Sequence, residues 1–268
     1  MAPEAAAPPE AAAPQDASRS PEARVVLETR ALVAGYERDI NILNGVSVKA
    51  WAGRIACVLG PNGTGKSTLL KTIFGFLRPV KGDVLLDGKS IAGAPPHRMI
   101  GKGVTFLPQQ PSLFPYLSVE VNLRLGLWRQ RKGGGGAWRE AVEQAYRRFP
   151  VLGEKRRQPA GQLSGGQQRQ LEVARASLTD PNLYLIDEPS AGVDPITSGD
   201  IYRMIDALAH AEGKAVLLVD QDIKRALSIA DYVYVVRNGA LFTEGPRDMF
   251  GGDTTALMSH WLGASAAH

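Results

Sequence analysis

The sequence predicts an α/β protein built on a largely parallel sheet with helices on its faces. Three observations carry this reading. Ile55-Ala-Cys-Val-Leu59 is a continuous apolar run bounded by glycine, the mark of a strand buried on both faces. Strand-sized apolar runs recur at Leu183-Tyr-Leu-Ile186, Ala215–Val219 and Tyr232–Val236. Stretches of helical character separate them, and repeated strand–helix alternation builds parallel sheets.

The elements follow in chain order. Residues 1–23 are built from Ala, Pro and Glu; prolines at positions 3, 8, 9, 14 and 21 break any helix the alanines favour, so a disordered tail is expected. Val25–Leu27 and Leu32-Val33 read as short strands ending at Gly35-Tyr36. Val46-Ser-Val48 reads as another, and Trp51-Ala-Gly-Arg54 as a turn. The strand Ile55–Leu59 is followed by a glycine loop and a helix over Ser67–Phe76. From about Pro95 to Gly161 the composition is irregular and then helical, with helices over Leu117–Trp128 and Ala137–Phe149 joined by a flexible linker, Arg131-Lys-Gly-Gly-Gly-Gly136. A helix runs from Gln167 to about Leu178 and is stopped by Asp180-Pro181. From Asp253 a short helix and an Ala-rich tail are expected. No internal repeat is visible.

Composition sets outer bounds. A chain of 268 residues can bury a substantial core without disulfides or metals. Hydrophobic residues at 44% and charged residues at 22% exclude a mostly disordered chain. The net charge of +4 is small and scattered, so nucleic acid is not an expected partner. Cys57 is the single cysteine, which excludes an intrachain disulfide framework and a cysteine cage for zinc, and points to an intracellular chain. No apolar run approaches the roughly 18–20 residues that span a bilayer. The N-terminus has neither the basic start nor the apolar core of a signal peptide.

The chemistry begins with Gly60, Pro61, Asn62, Gly63, Thr64, Gly65, Lys66 and Ser67, which fit G-x-x-x-x-G-K-[ST] completely. The glycines let consecutive backbone N–H groups curl around phosphate oxygens, and the following helix adds the positive end of its dipole. Lys66 is expected to reach the β and γ phosphates, and the Ser67 hydroxyl to ligate Mg²⁺. A chance glycine-rich turn is the alternative; the strand before and the helix after argue against it.

Two further elements are weaker alone. Leu183-Tyr-Leu-Ile-Asp-Glu188 is an apolar run ending in two carboxylates. Asp187 is expected beside the phosphate loop, where a metal needs an anion, and Glu188 could accept a proton from an attacking water. An acidic strand end is as often structural, but Asp187 arrives 120 residues after Ser67 in the same inferred sheet. In Leu163-Ser-Gly-Gly-Gln167, Ser164 reads as a helix N-cap, and the segment is either that cap or an anion site.

Together, in this order, the three motifs resemble the nucleotide-binding subunit of ATP-binding cassette transporters, over about Val25 to Pro246. The resemblance implies a P-loop NTPase (RecA-like) core with an antiparallel β edge and an inserted helical subdomain at about residues 95–165, the cassette covering residues 24–248 and a short helix and tail residues 249–268. It implies that two cassettes, identical or sister chains, pack head to tail. Each ATP then lies between one phosphate loop, with Thr68 beside it, and the other subunit's Ser164, Gly165, Gly166 and Gln167. Tyr36 lies where the family stacks an aromatic on adenine; read alone, it is equally a strand-end core residue. Gln109, rather than Gln110, matches the glutamine that touches Mg²⁺ or the attacking water. Asp194 matches the loop reaching across the dimer; its alternative is a turn closed by Pro195.

One position departs from the family pattern. Where a histidine usually lies near the γ-phosphate, this chain has Gln221, in Asp220-Gln221-Asp222. Glutamine can hydrogen-bond a phosphate oxygen but carries no imidazolium charge. Either hydrolysis is slower, or glutamine is normal in this subgroup, as the similarity to branched-chain amino-acid uptake ATPases suggests.

The resemblance further implies an ATPase that uses ATP and Mg²⁺, peripheral on the cytoplasmic face of the inner membrane. Its expected partners are integral-membrane permeases and, indirectly, a periplasmic solute-binding protein. Phe149-Pro-Val-Leu152, Val219-Asp-Gln221 and Ala230-Asp-Tyr232 resemble the branched-chain amino-acid and urea importers. Leu107-Pro-Gln-Gln110 and Ala191–Pro195 resemble the lipopolysaccharide-export cassette. A soluble cassette of DNA repair or translation fits less well, because those relatives carry long coiled-coil insertions or fused cassettes. A third alternative, motivated by Gln221, is an ATP-gated interaction protein that barely hydrolyses. Pro111-Ser-Leu-Phe-Pro115 is the candidate permease contact, or else local packing in the helical lobe.

Overall fold

Alternation along one strand organises the molecule. In the computed structural model, which describes residues 23–37, 40–127 and 137–251, the strand β4 (Ile55–Leu59) is fully buried. Ile55, Cys57 and Leu59 point into one hydrophobic core; Ala56 and Val58 point into another on the opposite face. Side chains on a strand alternate faces, so a run with no polar residue needs a layer on each side.

Six strands form that central sheet, in the order β11 (Ala240–Pro246), β10 (Tyr232–Arg237), β4, β9 (Ala215–Asp220), β8 (Leu183–Asp187) and β7 (Val104–Leu107). All neighbours are parallel except β10 and β11, which form an antiparallel hairpin at one edge. The second sheet is antiparallel: β1 (Val25–Ala34) pairs with β2 (Leu43–Val46), β3 (Lys49–Trp51) and β5 (Lys81–Leu86), and β5 with β6 (Lys89–Ser90). Between the sheets runs α1 (Lys66–Phe74), burying Leu69, Leu70, Ile73 and Phe74.

The other face of the central sheet is covered by helices. These include α3 (Val119–Gly126), α4 (Ala137–Arg148), α5 (Pro150–Glu154), α6 (Gly165–Ser177), α7 (Pro195–Asp206) and α8 (Ile223–Ile229). The short helix α2 (Pro96–Gly101) leads into β7. No helix of the described residues is long and apolar enough to cross a membrane.

The structure differs from expectation in places. The two strands expected over Val25–Val33 are one, with a register irregularity where Ala31 takes a left-handed φ of 44°. Of the strand expected over Val46–Val48, Val46 ends β2, while Ser47 and Val48 fall between β2 and β3. Because β7 pairs with β8, residues 104–107, within the span expected to be irregular and then helical, belong to the central sheet. The tail over residues 1–22, the linker at 131–136 and the segment from Asp253 lie outside the described residues.

Candidate active site

The C-terminal ends of β4, β8 and β9 converge, and the site is assembled there. The turn after β4 carries Gly60 to Gly65 into α1. Gly65 sits at φ 99°, which a side chain rarely adopts, and a Cβ there would lie 2.8 Å from Leu43 Cδ2. As the residue preceding α1, Gly65 offers no side-chain cap, and the first turn holds no acidic residue. The first amides of α1 therefore present unpaired N–H groups and the positive end of the helix dipole to the loop. Asn62 and Gly63 are exposed, while Thr64, Lys66 and Thr68 are buried.

Lys66 is held inside this loop. Its Nζ donates to the carbonyls of Gly60 at 2.8 Å and Pro61 at 3.0 Å, and lies 3.8 Å from Glu188 Oε1. Burial pulls the ammonium below the usual lysine range, while Glu188, Asp187 and Asp220 push it back up. Next to it, Ser67 Oγ donates to Asp187 Oδ1 at 3.0 Å. Burial raises the Asp187 carboxyl, and the Ser67 bond, Lys71 and Lys66 oppose that rise.

Glu188 follows in an unusual backbone state. Its φ is 41°, left-handed for a non-glycine residue, and it is 7% exposed. The turn separates its side chain from that of Asp187, and Gln109 Nε2 donates to Glu188 Oε2 at 2.9 Å. The pairing of Leu107 with Ile186 in parallel β7 and β8 brings Gln109 and Glu188 to the same sheet end. Ser67 and Asp187, in contact with each other, supply hydroxyl and carboxylate oxygens, hard donors of the kind Mg²⁺ takes, while the side chain of Gln109 meets Glu188, the residue after Asp187.

Tyr36 is 59% exposed, so its alternative reading as a core residue is corrected. Lys71 of α1 donates from Nζ to its hydroxyl at 3.3 Å and lies 5.6 Å from the ring centre, which fixes the ring beside the phosphate-loop helix. Gln221 is exposed just past β9; its backbone N–H donates to Asp220 Oδ1, as does that of Asp222. Asp220 Oδ2 accepts from Tyr202, whose hydroxyl also meets Ser190. Asp220, raised by burial, figures in the sequence only as the neighbour of Gln221 and with no role of its own, because one more acidic strand end carries no distinguishing signal.

The remaining predicted residues lie apart from this cluster. Ser164 caps α6: its Oγ accepts from Gln167 N–H at 3.3 Å, and Gln167 Oε1 accepts from Ser164 N–H at 3.2 Å, a complete capping box. Gly165 is exposed. Gly166 is buried against α7, where a Cβ would lie 1.9 Å from Thr197 Cγ2, so only glycine fits. Asp194 is the exposed N-cap of α7, accepting from Ile196 and Thr197, which replaces the simple turn expected there with a helix start. No hydrogen bond among the described residues joins Ser164 or Asp194 to the phosphate loop of the same chain.

A groove of about 460 Å³ opens between the central sheet and the helical layer, lined by Phe74, Phe76, Ile100, Phe106, Phe114 and Arg175 among others. In the segment Pro111–Pro115, Leu113 packs against the core while Phe114 is 51% exposed to the groove.

The family model described as ABC transporter matches residues 43–191. The high-affinity branched-chain amino acid transport ATP-binding protein BraG of Pseudomonas aeruginosa is 36% identical over 78% of this chain and 88% of its own length. The lipopolysaccharide export system ATP-binding protein LptB of Acidithiobacillus ferridurans is 33% identical over 82% of this chain and 90% of its own. Among solved structures, the dimeric post-hydrolysis state of the ATP-binding cassette MJ0796, bound to ADP and Pi, superposes with a TM-score of 0.72. It is 25% identical, covering 82% of this chain and 98% of that one.

Proposed function

The chain belongs to the ATP-binding cassette transporter family as an ATPase of a transporter complex, and from that premise we propose that it powers uptake of branched-chain amino acids or a related small solute through membrane permeases. The observation that carries the reading is the hydrogen bond from Ser67 to Asp187, which ties the phosphate loop to the acidic strand end. In this reading Gly60–Thr68 and Lys66 hold the triphosphate, and Tyr36 stacks on adenine. Ser67, Asp187 and Gln109 hold Mg²⁺, which when bound neutralises charge on the β and γ phosphate oxygens. Glu188 takes the proton of the attacking water, with Gln109 orienting its carboxylate. Gln221 hydrogen-bonds a phosphate oxygen.

Ser164, Gly165, Gly166, Gln167 and Asp194 serve a second cassette's nucleotide. Their exposed members, Ser164, Gly165 and Asp194, sit at helix starts, and the dimeric structure of MJ0796 supports a paired arrangement. The groove beside Gln109 receives a permease segment at the cytoplasmic membrane face, Phe114 contributing to the contact. The LptB similarity favours a second reading, lipopolysaccharide export, with the same site and different membrane partners.

The test of the site is Mg²⁺-dependent ATP binding and phosphate release by the full chain, wild type and Lys66→Ala. Binding that requires Mg²⁺ and weakens at least about tenfold in the variant is expected; wild-type protein with no such binding overturns the reading. For cargo, the chain is reconstituted with the permeases that copurify with it. Stimulation of ATP turnover by a leucine-loaded solute-binding protein supports uptake, and stimulation by lipopolysaccharide supports export.

A further inference from the structure

Beneath the groove lies a charged pair that the nucleotide site does not account for. Arg169 and Glu172, one turn apart on α6, have side chains only 3% and 1% exposed and meet at 2.5 Å. Such burial is costly unless every donor and acceptor finds a partner. Every nitrogen of Arg169 and both carboxylate oxygens of Glu172 do, and the partners come from separate segments of the chain. Arg169 donates from Nη1 to Pro108 O at 2.9 Å and from Nη2 to Gln109 O at 2.8 Å. Its Nε donates to Pro189 O at 3.2 Å. One guanidinium therefore grips the backbone on both sides of the Gln109–Glu188 contact: the segment that carries Gln109 and the residue that follows Glu188.

Glu172 faces the other way. Its Oε1 accepts from Ser112 N–H at 2.8 Å and Ser112 Oγ at 3.0 Å, and Arg175 Nη2 donates to Ser112 O and Oγ at 2.8 Å each. Ser112, Glu172 and Arg175 all line the groove. A continuous hydrogen-bonded chain thus runs from the groove wall through Glu172 and Arg169 to the backbone of Gln109 and of Pro189, the residue that follows Glu188.

We infer that Arg169 is a positioning residue that sets the Gln109–Glu188 geometry and carries displacement of the groove wall to it. A planar fork with five donors suits this task, because it fixes three carbonyls and a carboxylate in one plane, whereas lysine is a point charge with three donors on a flexible stem. The inference rests on the nucleotide reading above and deepens it by naming what links the partner surface to the water-activating carboxylate.

The experiment uses the full chain in two arms. In the first, Arg169→Lys, which keeps the charge opposite Glu172, is compared with wild type for melting temperature, ATP affinity and steady-state turnover. A folded variant whose kcat falls about tenfold or more, with ATP affinity within twofold of wild type, is expected. Unchanged kcat, or a loss confined to KM, overturns the inference. In the second, Ile100→Cys on the groove wall is coupled to a bulky maleimide; Cys57 is fully buried with its thiol pushed up, so labelling is confined to the groove. Labelled protein is expected to turn over ATP at least threefold differently from unlabelled protein, and the response to vanish when Arg169→Lys is added. A response of equal size in both backgrounds overturns the relay. Should wild-type protein fail to bind Mg-ATP, the nucleotide reading falls and this inference with it. Binding with unchanged Arg169→Lys turnover overturns the inference alone.

Discussion

Gln109 and Glu188 lie 79 residues apart in the chain, yet the amide of one donates to the carboxylate of the other at 2.9 Å. The bond occupies Oε2, while Lys66 Nζ stands 3.8 Å from Oε1, so the carboxylate is held from two sides by groups belonging to two other loops. Replacing Glu188 with Gln preserves shape but removes the proton acceptor. Phosphate release by Glu188→Gln is expected to drop by about 10²–10⁴ with Mg-ATP affinity retained. Steady-state phosphate release measured beside equilibrium nucleotide binding checks this, and equal turnover in the two proteins would remove Glu188 from the mechanism.

Tyr36 offers a second measurement. An aromatic ring 59% exposed, steadied by Lys71, has an open face for a base. Stacking is worth about 1–3 kcal/mol per base, so Tyr36→Ala is expected to weaken ATP binding by roughly 5–150-fold. Tyr36→Phe keeps the ring and loses only the Lys71 bond, and its affinity should stay within about threefold of wild type. A Phe variant as weak as Ala would assign the hydroxyl, not the face, as the contact.

What was legible in the sequence was local. Ile55–Leu59 announced a strand buried on both faces because no polar residue interrupts it, and Ser164 announced the N-cap of a helix, which the structure completes as a capping box with Gln167. The contacts that make the site work are set by register, and register leaves no mark on spacing. Gln109 meets Glu188 because Leu107 pairs with Ile186, and β7 itself was unread: four residues of a parallel edge strand lie within a stretch that otherwise looks irregular. The hairpin of β5 and β6 was missed although Asp87-Gly88, both at positive φ, is a recognisable turn pair. Arg169 and Glu172 were hidden for the opposite reason. In a helix rich in Gln and Arg, nothing in composition separates a solvated charge from one that is buried and paired.

His210 gives a prediction about stability, away from the nucleotide. Its ring nitrogens meet Asp206 Oδ1 at 2.8 Å and Asp231 Oδ2 at 3.0 Å, and that same Asp231 oxygen accepts from the backbone of Ile55 at the start of β4. Partial burial pulls the imidazolium down, but the bonds to Asp231 and Asp206 outweigh it and raise the group above its ordinary 6.5. A raised folded value means that the stabilisation is fully present below the unfolded value and is lost as pH rises through the folded one. Wild type should therefore melt above His210→Gln at about pH 5.5, with the gap closing by about pH 8.5. Because the ring is 40% exposed and solvent screens it, the shift should be on the order of 1–2 °C. A gap that widens towards alkaline pH would contradict the assignment.

Ser164 separates structural from functional work within a single residue. Its hydroxyl oxygen accepts the Gln167 amide and so caps α6, while the residue stays exposed and its O–H proton remains available to donate. Loss of an N-cap costs about 1 kcal/mol, which for a chain of this size lowers the melting temperature by roughly 2–4 °C. Asparagine caps as well as serine but carries a larger amide in place of the hydroxyl. Ser164→Ala is therefore expected to lose both stability and ATP turnover. Ser164→Asn should melt within about 1 °C of wild type and still turn over poorly, because the surface offered to a second cassette has changed. If Ser164→Asn restored turnover together with melting temperature, capping would account for the whole effect, and the hydroxyl would have no part in completing a neighbour's nucleotide site.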